Sequence, residues 1–245
     1  MVLRVSFFSV FKVNDNKSLN FLNKYVNQEI DTSKKTTHDD SGVRGLILMV
    51  QNKYNIYLGL PEENIEDLRD AMLISYPMQD VEKLADRKYV ADVLLNKNIN
   101  IEDYIKQIKY YNKIISSNKI LTIDQQINEG YELTHLIWAL YIIVKDNYII
   151  RIYKDFMLWS LINLYIRIPS NTDVSTEALY FISKLDSFTI KEEWIIKLKA
   201  GQGKNGAFKG FDNIQELSSK EKLLLQVHHT SLALLTLYNY NNRNI

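Results

Sequence analysis

The sequence contains no cysteine, which excludes disulfide bonds, thiolate nucleophiles and metal sites with cysteine ligands. Glycine and proline are also scarce, with 8 and 3 residues in a chain of 245. All-β proteins need many turns and use more of both residues, so this scarcity favours helices. The sequence therefore predicts an all-α protein whose functional side chains do not include thiols.

An excess of charge of either sign is missing as well. Thirty basic residues balance 29 acidic residues to a net charge of +1, and no basic stripe is visible, so we expect no nucleic-acid partner. The longest apolar stretch, Leu133–Val144, contains His135 and is shorter than the roughly 20 residues that cross a bilayer. With no signal peptide at the start, we expect a soluble, cytoplasmic protein without a membrane span.

What is present is helical periodicity along the whole chain. We find no domain boundary and expect one domain over residues 1–245. About ten helices joined by short links are typical of antiparallel helical hairpins. The predicted helices cover about 19–30, 41–50, 61–75, 79–95, 101–115, 122–145, 148–166, 174–185, 189–198 and 219–240, with Ser18 capping the first and Thr122 the sixth.

Half of the glycines cluster in one polar segment between the last two predicted helices. Within it, Gln202, Gly206 and Phe208 form the pattern Q-x-x-x-G-x-F. This pattern resembles the Q-x-x-x-G-x-W/F repeat of terpenoid cyclases and related α/α-toroid proteins. The resemblance implies a full or partial ring of helix pairs, in which the glutamine caps a neighbouring helix and the aromatic ring packs on it. An ordinary glycine-rich loop is the alternative.

A second resemblance lies one loop further on, where His228, His229 and Thr230 begin an apolar stretch of small residues. It is similar to the inner helix of protein prenyltransferase β-subunits, in which a His-Thr pair supplies a zinc ligand at the position of His229. That zinc site also needs an aspartate and a cysteine. Since this chain has no cysteine, the site is not intact, and the acidic D-x-D-D motif of squalene-type cyclases is missing too.

A third motif reads Tyr131-Glu132-Leu133-Thr134-His135. Residues three apart share one face of a helix, so Glu132 can tune His135 as an acid or base. The alternative is a histidine that only forms hydrogen bonds in the core.

Together these motifs predict a site at one mouth of the ring, where helix starts would gather. We expect His135, His229 and Glu177 to bind a divalent ion such as zinc, with a water in the open position. The alternative is metal-free acid–base catalysis by His135 and His229 with Glu132. In either case Tyr131, Trp138 and His228 are the predicted substrate-binding residues.

The L-T-H and H-H-T segments also resemble an uncharacterised bacterial family that occurs in peptide natural-product gene clusters. That resemblance implies the binding or modification of a hydrophobic small molecule or a peptide in a central cavity that contains the histidines. The competing hypothesis is a non-catalytic helical scaffold that binds a peptide or protein partner in its groove.

Overall fold

A computed structural model describes residues 15–30, 43–62, 88–95, 99–117, 121–143, 147–170, 172–209 and 218–243. These residues form nine α-helices, a 3₁₀-helix at Ser187–Thr189 and no strand, so the all-helical prediction is confirmed. The α-helices are α1 (Asp15–Glu29), α2 (Val43–Tyr54), α3 (Lys88–Leu94), α4 (Ile101–Ser116), α5 (Ile123–Ile143), α6 (Asn147–Arg167), α7 (Asp173–Asp186), α8 (Glu192–Ala200) and α9 (Ser219–Asn241).

Polar side chains mark the starts of two long helices, α5 and α9. The Thr122 hydroxyl accepts a hydrogen bond from the Gln125 backbone N–H, while the Gln125 side chain accepts one from the Thr122 N–H. Ser218 and Glu221 form the same reciprocal pair at α9. Each pair satisfies backbone donors that have no partner within the helix. Thr122 therefore caps its helix as predicted.

The first helix begins earlier than the sequence suggested. α1 starts at Asp15, so Ser18 lies within its first turn and does not cap it, which corrects the prediction. The Ser18 hydroxyl is buried and donates a hydrogen bond of 2.6 Å to the Gly206 carbonyl oxygen instead. The Ser18 hydroxyl therefore makes a long-range hydrogen bond and is not used to cap its own helix.

The Q-x-x-x-G-x-F segment joins the loop after α8 to the first and last described helices, α1 and α9. Gln202 Nε2 donates to Ser18 Oγ at 2.7 Å, and the Phe208 N–H donates to Thr230 Oγ1 of α9 at 3.0 Å. Gly206 has a φ of +91°, and a Cβ there would lie 2.2 Å from the Lys17 carbonyl oxygen. Only glycine fits this turn and this close approach, so the segment is structural.

α7 lies at the centre of the packing, in contact with α5, α6 and α9. Its residues 174–183 are all buried. Gly130 lets α5 come close, since a Cβ at this position would lie 2.7 Å from Val174 Cγ1. The two faces of α7 that carry polar groups therefore point at α5 and α9 and not at water.

Two predicted helices lie largely outside the described residues, at 61–75 and in the first part of 79–95. In the part of the chain that is described, no helix combines the length and the apolar character needed to cross a bilayer.

Candidate functional site

The site is built around two carboxylates at the start of α7. The Thr172 hydroxyl accepts a hydrogen bond from the Ser175 N–H and fixes the first turn. Asp173 lies in that turn and Glu177 one turn later, so both project from one face of the helix. The positive end of the helix dipole favours a negative charge at Asp173.

Asp173 is held between a phenol and an imidazole. The Tyr131 hydroxyl donates to its Oδ2 at 2.8 Å, and His228 Nδ1 lies 2.9 Å from its Oδ1. Burial favours the neutral acid, but the charge and the hydrogen bond of His228 outweigh it and lower the pKa of Asp173 to about 2. Asp173 is therefore a carboxylate at every physiological pH.

Glu177 resembles Asp173 in having one oxygen that accepts a hydrogen bond from a hydroxyl and one oxygen that faces histidine. The Thr134 hydroxyl donates to its Oε2 at 2.6 Å. This hydroxyl also lies 3.0 Å from the Tyr131 carbonyl oxygen, but its shorter contact is with the glutamate. The other oxygen, Oε1, lies 3.8 Å from His135 Nε2 and 3.8 Å from His228 Nε2. His228 thus turns one ring nitrogen towards each carboxylate.

His229 is the most deeply buried histidine of the site, with 2% of its side chain exposed. Its Nε2 lies 2.6 Å from Thr176 Oγ1, and its Nδ1 lies 3.9 Å from Asp173 Oδ1. Among the described residues Nδ1 has no hydrogen-bond partner. Burial lowers the pKa of His229 to about 4 and outweighs the nearby charge of Asp173, so the ring is neutral at pH 7.

These five side chains form the imidazole–carboxylate cluster, which consists of Asp173, Glu177, His135, His228 and His229. Within it one oxygen of each carboxylate and one nitrogen of His228 lie within 4.8 Å of one another. Two carboxylates and an imidazole are suitable ligands for a divalent transition-metal ion. The same groups can also exchange protons without an ion.

The structure brings together most of the residues that the sequence selected. Glu177 and the three histidines His135, His228 and His229 all lie in the cluster. The predicted metal ligands are His135, His229 and Glu177, and this set stays a prediction. The compact group of ligand atoms in the structure consists of Asp173, Glu177 and His228.

Two predicted substrate-binding residues line the cluster on α5. The Tyr131 ring stacks on His135 at 5.8 Å and 10°, and its hydroxyl orients Asp173. The Trp138 ring lies 6.2 Å from His135, but only 5% of the residue is exposed. Glu132 lies near Tyr111 of α4. Burial raises the pKa of Tyr111 to about 12, and the negative charge of Glu132 contributes to that increase.

One functional residue was missed. Asp173 lies one residue before the helix predicted at 174–185, whereas it belongs to the first turn of the observed α7. The spacing of Asp173 and Glu177 after a threonine cap was the signal that could have revealed it. The histidines also lie in the middle of α5 and α9 and not at helix starts, so the predicted gathering of three helix starts is wrong.

A cavity of about 420 Å³ lies elsewhere, between α3 and α4. Its lining is polar and includes no member of the cluster: Tyr89, Asp92, Ile99, Asn100, Asp103, Tyr104, Lys106 and Gln107.

Comparison with models of known protein families gives no match, and comparisons with curated proteins and with solved structures give none either. The functional argument therefore depends on the geometry of the cluster.

Proposed function

We propose that this protein binds one divalent transition-metal ion of the zinc class through Asp173, Glu177 and His228. One observation carries the proposal. Each carboxylate has one oxygen engaged by a hydroxyl donor, Tyr131 for Asp173 and Thr134 for Glu177, and the other oxygen turned to His228. Hydrogen bonds that orient ligands in this way are characteristic of metal sites in proteins.

The distances support the same interpretation. Two atoms that bind one ion at about 2.1 Å are separated by roughly 3 to 4 Å, depending on the angle at the ion. One nitrogen of His228 and one oxygen each of Asp173 and Glu177 lie within 4.8 Å of one another, so a small closing movement would bring all three to one ion. An ion would also offset the repulsion between two carboxylates that face one buried space.

The bound ion would act as a Lewis acid or would lower the pKa of a bound water. His135 lies beside Glu177 with 12% of its side chain exposed, so it can exchange protons between the site and solvent. We propose a hydrophobic small molecule or a peptide as the substrate, bound in a full or partial α/α toroid. The resemblances at Gln202–Phe208 and at His228-His229-Thr230 support this part, as do the aromatic rings of Tyr131 and Trp138 beside the cluster.

Calorimetric titration of the chelator-treated protein with Zn²⁺ tests the proposal. We expect one zinc ion per chain. Asp173→Asn should weaken binding at least 100-fold, because the amide carries no charge and is a poor ligand. Asp155→Asn is the matched control, since Asp155 is exposed on α6, and it should bind like the unmodified protein. Absence of zinc binding by the unmodified protein contradicts the proposal.

A second candidate is the non-catalytic scaffold, which one observation favours. The 2.9 Å contact between His228 and Asp173 is already a good ion pair without any metal. In that case Asp173→Asn lowers the melting temperature, the protein binds no zinc, and the cluster only joins α7 to α9.

A further inference from the structure

Helix α6 is apolar on two opposite faces. One face packs against α4, α5 and α7 and buries its large side chains: Met157, Leu161 and Leu164. The other face carries Ile152, Trp159 and Ile166, which are 57%, 55% and 62% exposed. The outer face of a helix at a protein surface is normally polar, because it meets water. The exposed face of α6 therefore needs an explanation that the packing of the chain does not provide.

These three exposed residues form a straight line, the α6 stripe. Successive members are seven residues apart, which displaces them by only about 20° around the helix axis. With a rise of about 1.5 Å per residue, the stripe is about 21 Å long. Phe156 widens it, because its ring lies 6.4 Å from that of Trp159 and is tilted by only 20°. Single exposed apolar residues are ordinary, but an apolar line with this spacing is typical of a surface on which another helix packs.

The α6 stripe is symmetrical about its centre, since one isoleucine lies seven residues before Trp159 and another seven residues after it. A two-fold axis at Trp159 would pair two antiparallel copies of α6 residue for residue. Ile152 of each copy would then pack against Ile166 of the other, and the two Trp159 rings would meet. An unrelated partner requires no such symmetry, so the spacing favours a second copy of this chain.

The charges beside the stripe fit the antiparallel arrangement. Arg167 is exposed, and its Nε donates a hydrogen bond of 2.9 Å to Asn163 Oδ1, which holds the guanidinium beside the stripe. At about 100° per residue, Phe156 lies on the same flank as these two residues but in the other half of the helix. Antiparallel pairing therefore brings the guanidinium of one copy towards the Phe156 ring of the other, a favourable cation–π contact. Asp155 is exposed on the opposite flank and stays at the solvated rim.

We infer that the α6 stripe is the contact surface of a homodimer, in which two α6 helices pack antiparallel around the paired Trp159 rings. Stable interfaces bury about 800 Å² on each partner, and about four turns of one helix present less than that. The dimer is therefore weak and depends on protein concentration. The net charge of +1 causes little repulsion between the copies. This surface lies on the face of α6 that points away from α7, so dimer formation does not require the proposed metal ion.

Sedimentation velocity at protein concentrations from about 1 to 300 µM tests the inference, since this range covers the affinities of weak interfaces. The unmodified protein should shift from monomer to dimer as its concentration rises. Trp159→Glu should weaken the dimer at least tenfold, because tryptophans at the centre of an interface contribute most and the change occurs twice in each dimer. A chain that stays monomeric over the whole range overturns the inference.

Tyr110→Glu is the matched control. Tyr110 is 56% exposed on α4, almost as much as Trp159 on α6. It lies about 200° around α4 from Asn112, which donates to Ser160 of α6, so it points away from α6. Tyr110→Glu should dimerise like the unmodified protein. Equal weakening by the Trp159 and Tyr110 variants would show that the α6 stripe is not the contact surface.

Crosslinking gives a second readout that leaves Trp159 in place, should Trp159→Glu fold poorly. The chain has no cysteine, so a short bis-maleimide reacts only with thiols that are introduced. A mixture of Ile152→Cys and Ile166→Cys proteins should form at least five times more crosslinked dimer than either variant alone. Equal or greater crosslinking within each variant alone would contradict the antiparallel pairing.

Discussion

Thr134 on α5 donates a 2.6 Å hydrogen bond to Glu177 on α7 and so decides which glutamate oxygen faces the histidines. Both residues are buried, and the contact joins two helices that Gly130 has already brought close together. The orientation of a ligand thus depends on the packing of a glycine one turn away.

Removal of the Thr134 hydroxyl should loosen Glu177 without changing the volume of the core. We expect Thr134→Val to weaken Zn²⁺ binding about 10- to 100-fold, because a ligand that is free to rotate loses its preorganisation. Thr134→Ser retains the hydroxyl and should stay close to the unmodified affinity. Equal affinities for the valine and serine variants would show that this hydrogen bond does not orient the ligand.

Gly130 should be as important for the site as the residues that line it. In Gly130→Ala, the new Cβ meets Val174 Cγ1 at 2.7 Å, so α5 and α7 must move apart. We expect the free energy of unfolding to fall by about 1–3 kcal/mol and Zn²⁺ binding to weaken, although alanine favours the helix itself by about 1 kcal/mol.

The double variant Gly130→Ala with Val174→Ala is the control for that prediction. The second change removes the methyl groups that clash, so zinc affinity should recover relative to Gly130→Ala alone. Failure to recover would mean that the contact with Val174 is not what sets the distance between the two helices.

The buried neutral ring of His229 predicts a sensitivity to acid. The pKa of His229 falls from its ordinary 6.5 to about 4 on folding, so between these values the unfolded chain binds the proton and the folded chain does not. The contribution of His229 to stability is therefore fully present above pH 6.5 and is lost as the pH falls towards 4. The loss from this one group is at most about 3 kcal/mol.

Urea unfolding of the chelator-treated protein between pH 7.5 and 4 measures that loss. The comparison variant is His229→Gln, which cannot take up a proton but keeps a donor for Thr176. Its stability should decline less steeply with acid than that of the unmodified chain. Parallel declines would show that His229 does not titrate over this range.

The turn at Gly206 makes a prediction about the fold alone. Its φ of +91° and the 2.2 Å approach of a Cβ to the Lys17 carbonyl oxygen leave no room for a side chain. Gly206→Ala should reduce the free energy of unfolding by about 2–4 kcal/mol. Lys204→Ala, at an exposed position of the same loop, should change it by less than about 0.5 kcal/mol. Thermal unfolding of both variants and of the unmodified protein measures the two differences.

Much of the helical order could be predicted because it is encoded locally. Apolar periodicity and caps such as Thr122 and Ser218 act over three or four residues, and the observed α4, α6 and α9 agree with the predicted bounds to within one residue. Ser18 shows the limit of local reasoning. Its hydroxyl binds a residue 188 positions away, and no local pattern reveals such a partner.

The site was only partly predictable for the same reason. The histidines stand out because they are few, but the sequence does not show that His228 lies between two carboxylates of another helix. Asp173 was hidden by an error of one residue in the start of α7. Near a helix start, one residue decides whether an aspartate is a solvated loop residue or part of an inward-facing pair.

The most direct measurement is a crystal structure of the zinc-soaked protein with anomalous data collected on both sides of the zinc absorption edge. The account predicts one strong anomalous peak at about 2.0–2.2 Å from Asp173 Oδ1, Glu177 Oε1 and a ring nitrogen of His228. An empty cluster, with His228 still bonded directly to Asp173 and zinc found only elsewhere on the surface, would contradict it.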